Sequence, residues 1–249
     1  MLIIPAIDLK NGKCVRLEQG QDNRMTIYSG DPIGTAGEWV RQGARRLHVV
    51  NLDGAFGRIS ANLEILRAIA CSTDAVVEFG GGLRSLAAIK QAIDAGADKV
   101  VLGTIAVEQP NILGEALDHL GAGRVIVALD GMGGKIATRG WTSMTEVPVM
   151  DLAQRIRHEG VEEVLYTDIE RDGMLSGPDI STLAQLGSIG LSLIASGGVS
   201  SAADIRALRS IPSVSLHGVI VGKALYERRV TFRELLEAAS GANRNGAGP

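Results

Sequence analysis

The chain is poor in the residues that several chemistries require. Its 249 residues hold two cysteines, Cys14 and Cys71, far apart and with no CxxC pair, which excludes a disulfide framework and a thiol redox motif and fits a reducing compartment. The four histidines, His48, His119, His158 and His217, share no HxxxH or HxH spacing and join no Cys/His cluster, so no metal site is expected. No GxSxG elbow is present. Ionisable chemistry is thereby left to carboxylates. Charge of one sign is lacking too: 25 Lys and Arg stand against 28 Asp and Glu, net −3 with no like-charge cluster, which speaks against a nucleic-acid partner. No uncharged apolar stretch reaches the roughly 18 to 20 residues that cross a bilayer. Met1 opens directly onto LIIPAID with no basic segment before it, so a cytoplasmic protein with no membrane partner is expected.

What the chain does have is alternation. Short β-branched apolar runs fall at Leu2 to Asp8, Arg46 to Leu52, Ala75 to Phe79, Lys99 to Leu102, Arg124 to Asp130, Glu163 to Thr167, Ser192 to Ser196 and Gly218 to Val221. Amphipathic, helix-like runs lie between and after them, at Gly34 to Gln42, Asn62 to Ala70, Leu86 to Ala95, Ile112 to His119, Val149 to Glu159, Ile180 to Leu186, Ala202 to Leu208 and Phe232 to Ala239. Three of the helices end on glycine, at Gly43, Gly96 and Gly160, as a left-handed C-terminal residue requires. Runs such as Val125-Ile126-Val127-Ala128-Leu129 suit parallel strands covered on both faces. Eight βα units predict an α/β fold, a single (β/α)8 TIM barrel over residues 1–239, with an open doubly wound sheet as the alternative. The Gly-, Ala- and Asn-rich run 240–249 reads as a disordered tail.

The two halves resemble each other. Asp8-Leu-Lys-Asn-Gly12-Lys13 matches Asp130-Gly-Met-Gly-Gly134-Lys135 at an offset of 122 residues. Gly80-Gly81-Gly82 matches Ser196-Gly197-Gly198, and Leu102-Gly103-Thr104 matches Val221-Gly222-Lys223, at offsets of 116 and 119. In an eight-fold barrel these positions all reach the C-terminal face, where active sites are built. Two aspartates then oppose each other, with two glycine-rich sites set across them.

Each feature has a bland reading beside a functional one. A glycine pair after a strand is commonly a tight turn, but two such pairs before helix N-termini at half-barrel symmetry make anion cradles and imply a ligand with a phosphate at each end. A lone aspartate at a strand end commonly caps a loop, whereas a repeated pair with no nucleophile in sight suits a general acid and a general base. One of the two must then hold its proton near neutral pH, against an ordinary value of ~3.9. Trp141, in the Gly-rich loop from Gly131, suits a lid over a planar ring better than a core position. Arg16 pairs with substrate or is a solvated charge, and both readings stay open. Thr167 and Asp172, after the sixth strand, reach the same mouth or cap their own loop.

These residues also carry a resemblance. IPAIDLKNGKCVRLEQG at the start, NLDGAFG at 51 to 57, GGGLR at 80 to 84, GTIA at 103 to 106, TRGW at 138 to 141, TDIERDG at 167 to 173, ASGGVSS at 195 to 201 and GVIVGKALYE at 218 to 227 together resemble the ProFAR isomerase family of histidine biosynthesis. The resemblance covers essentially the whole barrel and implies an Amadori rearrangement of an aminoaldose to an aminoketose, on a substrate with two phosphates and with no metal or organic cofactor. It implies Asp8 as general base and Asp130 as general acid, with Arg16, Trp141, Thr167 and Asp172 around the substrate. It further implies Gly81, Gly82, Arg84, Gly103, Thr104, Gly177, Gly197, Gly198, Gly222 and Lys223 near the phosphates. Asn51, Glu78 and Met174 depart from the family's usual run. Rival readings are the cyclase subunit of imidazole glycerol phosphate synthase, a dual-substrate isomerase that also takes phosphoribosylanthranilate, and a non-catalytic phosphosugar-binding protein. The PAIDLK strand and Trp141 argue against the cyclase. A monomer is expected, with the small bisphosphate as its only partner.

Overall fold

Apolar β-branched runs are stable as strands only where both faces are covered, and here a ring of helices supplies the outer cover. The computed structural model describes residues 1–19, 21–58, 62–212 and 214–241. In chain order the elements are β1 (Leu2–Lys10), β2 (Lys13–Glu18), β3 (Gln21–Ser29), α1 (Pro32–Arg41), β4 (Arg46–Asn51), α2 (Leu52–Ala55), α3 (Asn62–Ser72), β5 (Val76–Gly80), α4 (Leu86–Asp94), β6 (Lys99–Leu102), α5 (Thr104–Glu108) and α6 (Pro110–Leu120). The second half continues with β7 (Val125–Met132), β8 (Lys135–Thr138), β9 (Ser143–Pro148), α7 (Val149–His158), β10 (Glu163–Asp168), α8 (Ile180–Gly187), β11 (Ser192–Ser196), α9 (Ala202–Arg209), β12 (Leu216–Val221), α10 (Lys223–Tyr226) and α11 (Phe232–Ser240).

Strands β1, β4, β5, β6, β7, β10, β11 and β12 pair in parallel and close on themselves through β12 to β1, which makes the fold a (β/α)8 barrel. The eight expected strands and eight expected helices recur with bounds shifted by at most two residues. The expected tail boundary moves: α11 keeps Ser240 and Gly241 caps it at φ +79°, while 242–249 lie outside the described residues. The glycine-ended helices close as anticipated. Ala44, Ala97 and Val161 donate to the carbonyls of Trp39, Ala92 and Ile156 across Gly43, Gly96 and Gly160, at φ of +104°, +101° and +95°.

The hairpin expected at Lys13 to Leu17, matched by symmetry to the Trp141 loop, is present as one of a pair of antiparallel extensions. β2 folds back on β1 with Lys13 opposite Lys10, and β8 folds back on β7 with Lys135 opposite Met132, the same register at the same offset of 122. β3 and β9 then extend each hairpin outward. The half-barrel repeat is therefore structural as well as sequential. Two apolar cores result, a large one between strands and helices and a small one on the barrel axis built from Ile4, Ala6, Val101, Ile126, Ala128, Leu165, Ile194 and Ile220.

Candidate active site

Side chains alternate along a strand, so the residues that fill the axis determine which residue reaches the mouth. On β1 the inward series is Ile4, Ala6 and then Asp8; on β7 it is Ile126, Ala128 and then Asp130. The same step carries Leu165 to Thr167, Val101 to Gly103 and Ile220 to Gly222. One cavity at this end is lined by Asp8, Asp130, Arg16, Trp141, Thr167 and Asp172 together.

The two opposed carboxylates have different company. Arg16, on β2, donates from Nη1 to Asp8 Oδ2 at 2.5 Å, with both side chains largely buried, so the open question over Arg16 resolves as an inward ion pair. Burial pushes the Asp130 carboxyl above its ordinary value, and hydrogen bonding from Trp141 and Thr167 and the charge of His48 oppose part of that rise. Burial also pushes Asp172 up to about 6; Arg16 and Lys223 pull it down, while Asp8 and Asp130 add to the rise. The mouth thus holds two carboxyl groups biased toward keeping a proton and one carboxylate held by a guanidinium.

Trp141 is delivered by the β8–β9 turn, in which Arg139, Gly140 and Trp141 all take left-handed backbone, at φ of +57°, +66° and +67°. For a non-glycine residue that conformation costs roughly 1–2 kcal/mol, so neighbours must hold it. The Arg139 N–H donates to Thr104 Oγ1 at 2.9 Å, and its guanidinium donates to both oxygens of Glu108 at 2.9 and 3.0 Å. The Arg139 guanidinium is engaged by Glu108 while Trp141 faces Asp130.

The glycine sites repeat in backbone geometry. Gly81 and Gly82 lie at φ of +96° and +80°, Gly197 and Gly198 at +94° and +81°. A Cβ on Gly82 would stand 2.5 Å from the Gly54 carbonyl oxygen, and one on Gly198 only 2.1 Å from that of Gly177, so both need glycine for space as well as for φ. Gly103 and Gly222 cap the short helices α5 and α10, while Ser85 and Ser201 cap α4 and α9 with their side chains. Arg84 and Thr104 line the first site and Lys223 the second; Lys223 Nζ meets Glu18 Oε1 at 2.6 Å. Of the residues expected near the phosphates, Gly177 alone does not line the cavity. It stands behind Gly198 and donates its N–H to that carbonyl at 2.9 Å.

The departures find local explanations. Asn51 caps α2, its Oδ1 accepting from the Gly54 N–H at 3.0 Å and from Asn62 Nδ2 at 2.7 Å. Met174 is exposed on the loop after β10. Glu78 lies fully buried inside the barrel. Several residues of the mouth were not expected there, Phe56, Leu83, Thr138 and Leu175 among them, and the ionisable one on a barrel strand is His48, on the inward face of β4. The signal available was its place two residues from Arg46 and Val50 on one strand face, not any spacing to another histidine. Among the described residues no three His, Cys, Asp or Glu side chains converge as a metal ion requires. No described helix is long and apolar enough to cross a membrane.

A profile of the family described as "Histidine biosynthesis protein" matches residues 2–231. The chain belongs to that family. Among curated relatives, a Pelotomaculum thermopropionicum protein is 44% identical over 242 residues, covering 97% of this chain and 93% of its own. One from Halothermothrix orenii is 44% identical over 94% of this chain and 98% of its own, and one from Burkholderia thailandensis 45% identical over 98% of each. All three are named 1-(5-phosphoribosyl)-5-((5-phosphoribosylamino)methylideneamino) imidazole-4-carboxamide isomerase.

Proposed function

We propose that this chain is an isomerase of histidine biosynthesis that performs the reaction its relatives are named for, an Amadori rearrangement of an aminoaldose to an aminoketose on a substrate with two phosphoribosyl groups. The observation that carries this reading is the pair of carboxylates at equivalent strand ends of one mouth, one paired with Arg16 and the other biased by burial toward its protonated form. Asp130 gives its proton to the ribose ring oxygen as the C1–O bond breaks and the anomeric nitrogen lone pair forms the C=N bond. Asp8 removes the proton from C2, and the resulting enaminol ketonises to the aminoketose. Asp172, pushed up to about 6, is a second proton-holding group beside them, and Thr167 positions Asp130. Gly81, Gly82, Arg84, Gly103 and Thr104 hold one phosphate and Gly197, Gly198, Gly222 and Lys223 the other, with Gly177 supporting Gly198. Trp141 covers the substrate's planar ring.

This reading needs no cofactor. Both halves of the site come from one chain, in keeping with a cytoplasmic monomer whose partner is the small bisphosphate, without nucleic acid or membrane. The dual-substrate rival requires an arginine turned toward a ring carboxylate, and Arg139 is instead held by Glu108 through two hydrogen bonds. A spectrophotometric turnover assay on ProFAR and on phosphoribosylanthranilate tests the reading. We expect kcat/KM on ProFAR to exceed the other by well over tenfold, and Asp8→Asn and Asp130→Asn each to lower kcat by at least ~10²-fold with substrate still bound. Absence of turnover on ProFAR, or near wild-type kcat in either variant, overturns it.

A further inference from the structure

The β8–β9 turn that carries Trp141 is fastened from outside the cavity, by a residue with no part in the proton transfers. Thr138, Arg139 and Trp141 line the mouth beside Asp130, whereas Glu108 does not. Residues four apart stand on one face of a helix, so α5 turns Thr104, at its first position, and Glu108, at its last, toward the same neighbour. Thr104 Oγ1 accepts the Arg139 N–H at 2.9 Å. The Glu108 carboxylate accepts three hydrogen bonds: Arg139 Nε donates to Oε1 at 2.9 Å and Nη2 to Oε2 at 3.0 Å, a fork on both oxygens, and the Thr138 hydroxyl donates to Oε1 at 3.2 Å. Thr142 Oγ1 donates to the Arg139 carbonyl at 2.8 Å, and Gly140 lies against Ala55 and Phe56, where an added Cβ would stand 3.4 Å from the Ala55 carbonyl oxygen.

Two magnitudes decide what Glu108 does. The Arg139 and Glu108 side chains are 62% and 28% exposed, and pairs so placed contribute little to the stability of a whole fold. The turn is another matter. Arg139, Gly140 and Trp141 take left-handed backbone in succession, which strains the two residues that are not glycine, so the seated turn is only weakly preferred by its own backbone. A contribution too small to matter to the barrel shifts such a turn several-fold in population.

We propose that Glu108 is a positioning residue, fastening Thr138 and Arg139 so that Trp141 is seated over the mouth before substrate arrives. Glu108 acts through the turn and not on the reacting atoms. Apparent affinity scales with the fraction of molecules in the binding-competent form, so a loosened turn raises KM, while saturating substrate seats it again and kcat holds. The kinetic half of this rests on the role given to Trp141 as cover for the substrate ring; the seating does not.

The test uses the full chain in a Trp39→Phe background, which leaves Trp141 as the only tryptophan. Acrylamide quenching of the free protein, ProFAR kinetics and thermal unfolding are read for Glu108→Ala, Arg139→Ala and the double variant. For Glu108→Ala we expect the quenching constant to rise at least about twofold, with kcat within about twofold and Tm within about 2 °C of the background. KM should rise about three- to tenfold, the range for a forked pair with one further hydrogen bond at a partly exposed site. Because the two side chains form one contact, the double variant should be no worse than Glu108→Ala. Arg139→Ala decides the matter if Glu108→Ala fails to fold. A part in stability alone would lower Tm and leave quenching and KM where they were. Unmoved quenching in a folded variant overturns the proposal, and it does so even if the chain proved inactive on ProFAR and the functional reading fell separately; in an active chain, quenching that moves without KM overturns the positioning role.

Discussion

Gly222 and Gly103 occupy equivalent places in the two half-barrels, yet alanine should be tolerated at one and not at the other. Neither needs left-handed backbone, since their φ values are −115° and −103°. What differs is the neighbour. A Cβ on Gly222 would stand 1.4 Å from Arg16 Nη2, 2.1 Å from its Cζ and 2.6 Å from its Nε, whereas a Cβ on Gly103 meets nothing closer than Ala128 Cβ at 3.6 Å. Gly222→Ala therefore drives the Arg16 guanidinium from its seat and breaks the 2.5 Å pair with Asp8, leaving Asp8 largely buried without its cation. Hydrogen bonds to charged groups are worth about 1.5–3 kcal/mol. At roughly 2–4 °C per kcal/mol for a chain of this size, Tm should fall by about 3–12 °C. Because Arg16 is also the partner of the carboxylate assigned as the base, kcat/KM should fall by at least about tenfold. Gly103→Ala should leave Tm within about 1 °C of wild type. Thermal unfolding of the free protein and ProFAR kinetics on both variants check this. The reasoning is refuted if Gly222→Ala keeps the wild-type Tm and a kcat/KM within threefold.

The remaining predictions concern Trp141 and Asp172. Trp141 emission should change on binding a product analogue in a Trp39→Phe background, and Trp141→Ala should cost turnover more than stability, because Trp39 sits in the core against Tyr226 and Phe232 while Trp141 lines the mouth. For Asp172 the folded value of about 6 exceeds the ordinary 3.8, so the folded state binds the proton more tightly, and stability is lost as pH rises from about 4 through about 6. Asp172→Asn should accordingly stabilise the fold above pH 6, by roughly 1–2 kcal/mol once partial exposure is allowed for, and by nothing below about pH 4. Urea unfolding at pH 4 and pH 8 measures both ends, and an equal gain at the two would contradict the assigned cause.

Barrel strands and helices were legible in the sequence because their signals are local: an apolar run, a 3.6-residue period, a glycine at a C-terminus. The mouth was legible because the repeat placed matching residues at matching strand ends. The β8–β9 extension was not, since β8 is four residues that follow Gly133-Gly134 and is stabilised by pairing to β7, not by its own pattern. His48 was missed for a related reason. Its partner Glu78 is 30 residues away on the next strand and is brought into range by parallel pairing, His48 beside Glu78, so no search for close histidine spacing could find it. Asn51 looked like a departure at a functional run and proved to be the cap of a four-residue helix.

Half-barrel symmetry alone would make the two aspartates chemically equal, and the proposed division into acid and base needs them unequal. The difference traces to one position of the repeated hairpin. At the offset of 122 that relates Asp8 to Asp130, Arg16 on β2 corresponds to Thr138 on β8. Arg16 turns in and gives Asp8 a cation; the Thr138 hydroxyl is uncharged and donates to Glu108 at 3.2 Å, so that position of the second hairpin brings Asp130 no cation. At Asp130 burial outweighs the hydrogen bonds from Trp141 and Thr167 and the charge of His48, a setting in which a carboxyl keeps its proton more readily. On this argument Arg16→Thr, which makes the first half like the second, should lower kcat by at least about tenfold while leaving the barrel folded. Turnover kinetics beside thermal unfolding of the variant check this, and a folded variant with wild-type kcat would mean that the asymmetry has another source.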